Sequence, residues 1–125
     1  MLVLVVEPGK VPESRDISGE LSEMQSIVDG YIQAIYPFPG IALICNEEGW
    51  LRGLPGNRGL RDENGEVRNI ICGTFFLCGI SENGEDLVGL TPEQARQLEE
   101  QFHTPEVFVG SNGRILCVPL KEITA

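Results

Sequence analysis

From Ile70 to Ile80 the chain reads IICGTFFLCGI, with Ile70, Cys72, Phe76 and Cys78 on one alternating face and Ile71, Phe75 and Leu77 on the other. A strand that is apolar on both faces must be covered on both, so the fold has to be a sheet with material packed above and below it. The run is read as one central strand. Gly73 and Gly79 within it offer no side chain to pack and mark a bulge, a bend or a close approach of a neighbour. The surrounding stretch, Gly30 to Gly79, holds most of the other apolar runs. Tyr31 to Tyr36 and Ile41 to Cys45 are rich in Ile, Tyr and Leu and are bounded by Gly30, Pro37, Pro39 and Gly40, the pattern of buried strands. Asn46 to Gly49 is a polar turn, after which Trp50 and Leu51 are expected to open a return strand.

Around this centre, Leu2 to Val6 is a continuous apolar run and is read as a buried first strand, followed by a loop from Lys10 to Asp16. Leu21, Met24, Ile27 and Val28 recur at helical spacing between Gly19 and Asp29, with Ser18 as the expected cap. Gly53 to Gly65 is read as a loop closed by an Asn64-Gly65 turn, and Ser81 to Asp86 as a turn. Thr91, Pro92 and Gln94 form the clearest helix start in the chain, and that helix runs to about Phe102 with a thin stripe of Ala95, Leu98 and Phe102. Glu106 to Val109 and Arg114 to Leu120 flank Gly110 to Gly113 as a terminal hairpin. This order predicts a single α+β domain: a largely antiparallel sheet, two helices and a C-terminal β-hairpin. The predicted core is Leu4, Val6, Leu21, Met24, Ile27, Ile32, Ile35, Leu43, Ile71, Phe75, Leu77 and Leu98.

The formal charge of -10 over 125 residues argues against general nucleic-acid binding, which needs clustered Lys and Arg. No apolar run approaches the ~20 residues of a membrane span, and no signal peptide is visible, so a soluble cytoplasmic protein is expected. Between Arg52 and Arg68 the balance reverses, with four Arg against Asp62, Glu63 and Glu66. An acidic body with one Arg-bearing loop follows.

Cys45, Cys72, Cys78 and Cys117 contain no C-x-x-C pair and sit in apolar runs, so they read as buried free thiols with no metal. His103, the only histidine, has no nucleophile signature beside it and reads as decoration of a helix C-terminus. Asp62 to Glu66 lacks the ligand spacing of a calcium loop. No catalytic residue and no cofactor are predicted. In Gly53 to Arg61, backbone amides and guanidinium groups have the makings of an anion site, although the usual phosphate signature is missing. Arg52, Asn57, Arg58 and Arg61 are therefore candidate contacts to a partner or anion, with Arg58 foremost because Gly56 and Gly59 leave the backbone beside it uncovered. The competing reading is a structural loop whose Arg residues pair with Asp62, Glu63 or Glu47.

The blocks Val5 to Lys10, Gly30 to Phe38, Ala42 to Gly49, Leu54 to Val67 and Gly73 to Phe76 resemble an uncharacterised family of small bacterial and phage domains. These domains are carried on plasmids and other mobile elements, some beside anti-restriction modules. The resemblance covers roughly residues 2 to 109 and implies a mobile-element setting without supplying a mechanism. It divides the chain into an α+β domain over 1–109 and a C-terminal strand over 110–125 packed on the same domain. Three functions remain open: a non-enzymatic module binding an unknown protein partner through its loop or sheet edge, an acidic DNA mimic or anti-restriction-type inhibitor, and a small-molecule enzyme using the Arg loop.

Overall fold

The computed structural model describes residues 1–120. β1 (Leu2–Val6) is followed by β2 (Glu13–Asp16), α1 (Leu21–Val28), β3 (Ile32–Phe38), β4 (Ile41–Asn46), β5 (Gly56–Arg61), β6 (Val67–Cys72), β7 (Phe75–Ile80), β8 (Leu87–Val88), α2 (Pro92–Phe102), β9 (Glu106–Ser111) and β10 (Arg114–Pro119). The main sheet runs β2-β1-β7-β4-β3, with β8 joining the end of β7, and every pairing in it is antiparallel. This is the α+β architecture expected, with β7 at its centre.

The two alternating faces of β7 organise two cores. Phe75 and Leu77 meet Leu4, Val6, Leu43 and the α2 residues Ala95, Leu98 and Phe102 on one side. Phe76 and Cys78 meet Val3, Val5, Ile44 and the α1 residues Met24 and Val28 on the other. A helix therefore covers each face, as a sheet apolar on both sides requires. Phe102 packs edge-on against both Phe75 and Phe38, with centroids 5.7 and 6.3 Å away.

The central run is two strands. Gly73 sits at φ 85°, and a Cβ there would lie 2.8 Å from Leu54 Cδ1. The chain bends at this point, so β6 leaves the main sheet to pair with β5 as a separate ribbon. The segment expected to be a loop from Gly53 to Gly65 thus contains β5, because Asn57 and Arg58 find interior hydrogen-bond partners that hydropathy does not register. Trp50 and Leu51 open no return strand. They lie in consecutive turns at 65% and 84% exposure, and β4 is paired on both sides by β3 and β7 instead. Glu13 to Asp16 is a strand, not a loop. It is solvated on both faces, so it carries no apolar period to reveal it.

α2 begins with the capping box expected: Thr91 Oγ1 accepts from Gln94 N at 3.1 Å, and Gln94 Oε1 accepts from Thr91 N at 2.9 Å. α1 starts differently. Its N-cap is Glu20 without a side-chain bond, while Ser18 donates through its N–H and Oγ to the Glu23 carboxylate. Those bonds hold the Glu23 carboxyl below its ordinary range. Leu21, expected in the core, is 55% exposed, and Ile27, Ile32 and Ile35 are half-buried. The β9–β10 hairpin closes at Asn112-Gly113 and lies beside β5. The expected boundary at 109/110 falls inside β9, and residues 121–125 of the expected C-terminal strand lie outside the described residues.

Candidate functional site

The four residues predicted to face a partner are placed at two locations. Arg52 donates to the Asp29 carbonyl at 2.5 Å, with its second nitrogen 3.4 Å from the Asp29 carboxylate, so it clasps the C-terminal end of α1. A cation there suits the helix dipole. Asn57 is fully buried. Its Nδ2 donates to the carbonyls of Val6 (2.8 Å) and Gly73 (2.9 Å), and its Oδ1 accepts from Arg58 at 2.9 Å.

Arg58 points inward at 1% exposure, which corrects the expectation that it meets a partner. Its Nε and Nη2 donate to the Phe102 carbonyl at 3.1 and 3.0 Å, Nη2 also to the Lys10 carbonyl at 2.6 Å, and Nη1 to the backbone and side-chain oxygens of Asn57. All five guanidinium N–H groups are thereby engaged by neutral oxygens. Burial pulls the Arg58 pKa down, and Glu106 nearby opposes that shift. The backbone beside it is covered too: a Cβ on Gly56 would fall 2.6 Å from the Phe108 ring, and one on Gly59 3.0 Å from Cys117 Sγ.

Arg61 does meet an anion, and the anion belongs to the chain. Its fork lies 3.2 and 2.7 Å from the two Glu106 carboxylate oxygens, and Gly59 N–H donates to the same carboxylate at 3.1 Å. This arrangement raises the Arg61 pKa through the Glu106 hydrogen bond. The partner is not Asp62, Glu63 or Glu47, because Asp62 instead pairs with Arg68 at 2.7 Å. The cleft between these groups and Phe38 holds only about 50 Å³. A substrate anion entering there would have to displace Glu106. Asn57, Arg58 and Arg61 therefore form one polar joint between β5, the β1–β2 connection, the end of α2 and β9, while Arg52 stands apart.

The thiols are similarly turned inward. Cys45 and Cys78 are buried and pushed up to about 11, Cys72 and Cys117 are raised by burial, and none of the four is in a disulfide. Among the described residues no three His, Cys, Asp or Glu side chains converge as a metal-ligand set, and no helix is long and apolar enough to cross a membrane.

The surface left open lies along β3, an edge of the main sheet. No residue from Gly30 to Asn46 is charged, and Tyr31 and Tyr36 are 67% and 64% exposed. Glu47 N–H donates to the Tyr31 carbonyl and Ile80 N–H to the Gly40 carbonyl. Alternation of antiparallel bonding then assigns Gln33 and Ile35 to the β4 ladder and turns the N–H and C=O of Ile32 and Ala34 outward. The opposite edge, β2, reads Glu13-Ser14-Arg15-Asp16 and is exposed throughout, the charged form of an edge that resists pairing.

At the Phe38 end of β3 two open clefts adjoin. One, of about 370 Å³, lies between Phe38, Pro39 and Ile41 on the sheet and Gln97, Leu98 and Gln101 on α2. The other, about 520 Å³, lies between Tyr36, Phe38, Gly40, Ile80 and Gly84. None of the residues lining these two clefts was among the expected contact residues Arg52, Asn57, Arg58 and Arg61. The signal available was the uncharged run from Gly30 to Asn46, read for its strands and not for the surface it leaves.

A family model described as a domain of unknown function (DUF3846) matches residues 1–103, and the chain belongs to that family. The match stops at the end of α2, before the β9–β10 hairpin. No curated protein and no solved structure matches the chain.

Proposed function

We propose that this member of the family is a cytoplasmic, non-enzymatic interaction module of a phage, plasmid or other mobile element, and that it meets a protein partner along β3. The observation that carries the reading is the contrast between the two edges of the main sheet. β2 is polar throughout, whereas β3 is uncharged, flanked by exposed Tyr31 and Tyr36, and open at Ile32 and Ala34. An exposed uncharged edge is a template for another chain, and proteins that do not use one ordinarily block it. Pro37 and the irregular pairing between Ile35 and Phe38 limit that edge to a short segment, which favours a bounded contact over open-ended aggregation. The non-enzymatic part of the reading draws support from the inward commitment of Arg58 and Arg61. The mobile-element setting rests on the resemblance of blocks such as VVEPGK and LPGNRGLRDENGEV.

A photo-reactive amino acid placed at Tyr36 tests the proposal against the same group placed at Arg15 on the β2 edge. In host cells carrying the mobile element, Tyr36 is expected to yield a discrete protein crosslink and Arg15 none. Equal crosslinking from both positions, or from Arg15 alone, would remove the β3 edge as the contact surface.

A further inference from the structure

We infer that the partner segment is an extended cationic peptide that adds to β3 as one more strand and sets an apolar side chain between Phe38 and α2. The inference rests on the interaction-module reading and gives that surface its chemistry. A peptide pairing with β3 bonds to the outward N–H and C=O groups of Ile32 and Ala34 and then reaches Pro37, which has no N–H to donate. Beyond that point its own amides need other partners. Gln97 and Gln101 stand across the groove from Phe38 and Pro39, are exposed, and make no side-chain hydrogen bond among the described residues. An amide side chain both donates and accepts, so each can receive a peptide group in either orientation. Gln94, the third glutamine of that face, is held by Thr91 in the capping box. Phe38, Ile41 and Leu98 form the apolar part of the groove, which suits a Leu- or Val-sized side chain.

The sign of the peptide's charge follows from what surrounds the groove. Neither of the two open clefts is lined by a charged residue, and in the small cleft on the other side of Phe38 the Arg61 fork is paired with Glu106. From Ser81 to His103, however, the chain carries six carboxylates against Arg96 alone, a formal net of -5. Glu93 and Glu100 lie one helical step from Gln97 on the solvent side, and Glu82, Glu85 and Asp86 belong to the turn that brings Gly84 to the second cleft. An acidic rim around an uncharged floor attracts a cationic segment and repels an anionic one.

The test is a 15N-resolved NMR titration of the full chain with a capped heptapeptide in which Lys alternates with Val, Leu and Val, against the same peptide with Glu for Lys. The Lys peptide is expected to shift the Ile32 and Ala34 backbone amides and the Gln97 and Gln101 side-chain amides, with affinity falling about tenfold as ionic strength rises from ~0.05 to ~0.5 M. The surface variant E93K/E100K should bind it several-fold more weakly while keeping the wild-type spectrum elsewhere. Equal binding of both peptides overturns the charge assignment. Shifts confined to other elements, or no binding by the Lys peptide, overturn the peptide site. If the Tyr36 crosslink still forms when the Lys peptide fails, only the peptide chemistry falls; if the crosslink is lost as well, the interaction reading falls with it.

Discussion

Replacing Arg58 with Ala should be among the most damaging single changes in this chain, which reverses what its sequence neighbourhood suggests. The guanidinium satisfies the Phe102 carbonyl at the end of α2, the Lys10 carbonyl between β1 and β2, and both oxygens of Asn57. Leaving a buried acceptor without its partner costs ~1–3 kcal/mol, so four such oxygens set a ceiling of ~4–12 kcal/mol. Removing a buried cation regains its own desolvation, and water entering the vacated space satisfies part of the rest, which leaves a loss of ~3–5 kcal/mol. For a domain of this size the melting temperature should fall by roughly 10–20 °C. Urea unfolding followed by circular dichroism measures the loss directly, provided the slope of free energy against denaturant matches wild type. Arg61→Ala is the comparator. Its side chain is 35% exposed, and its Glu106 partner keeps the Gly59 N–H, so its loss should be the smaller of the two. A loss of ~1 kcal/mol or less for Arg58→Ala, the magnitude of an exposed ion pair, would refute the buried-joint account.

Other consequences follow from the same packing. Phe75→Ala removes a fully buried ring from between β7 and α2 and should lose ~3–5 kcal/mol in the same assay; an unchanged melting temperature would contradict the central position of β7. Gly56→Val places carbons where the Phe108 ring sits, so the amides of β9 and β10 should exchange with solvent much faster while those of β7 stay protected; unchanged protection of β9 would refute the docking. Thiol titration of the native protein near pH 8 should label Cys117 first and spare Cys45 and Cys78, with all four reacting after unfolding. Because the folded Cys45 and Cys78 thiols are pushed up to about 11, the unfolded chain ionises first, and stability should fall as pH rises above the ordinary thiol range, ~8.5. A flat stability between ~pH 8.5 and 11 would contradict that burial.

How much of this was legible in the sequence depended on whether hydrophobicity or hydrogen bonding decided each element. The alternation of Phe75, Phe76, Leu77 and Cys78 carried the two-faced central strand, and the Thr91-Pro92-Gln94 signature carried the start of α2, because both signals are local. β2 escaped because solvent covers both of its faces and only its backbone pairing with β1 holds it. β5 escaped because Asn57 and Arg58 are polar residues used as interior staples, and their partners at Val6, Lys10 and Phe102 lie 44 to 51 residues away in sequence. The same long-range closure misled the site reading: Gly56 and Gly59 looked uncovered until Phe108 and Cys117 of the terminal hairpin were seen to lie against them. That backbone amides and guanidinium groups lie close together in Gly53 to Arg61 was legible, and Gly59 N–H and Arg61 turn them on a carboxylate of the same chain. That this carboxylate is Glu106 was not legible.

Amide hydrogen exchange at Ile32 and Ala34 tests the central claim most directly, since those two N–H groups face away from β4 in the free chain. The account predicts rapid exchange at both positions in the free protein and strong protection in complex with the protein crosslinked through Tyr36, with the exposed β2 amides unchanged. Slow exchange in the free protein, or protection appearing on β2 while Ile32 and Ala34 remain open, would contradict it.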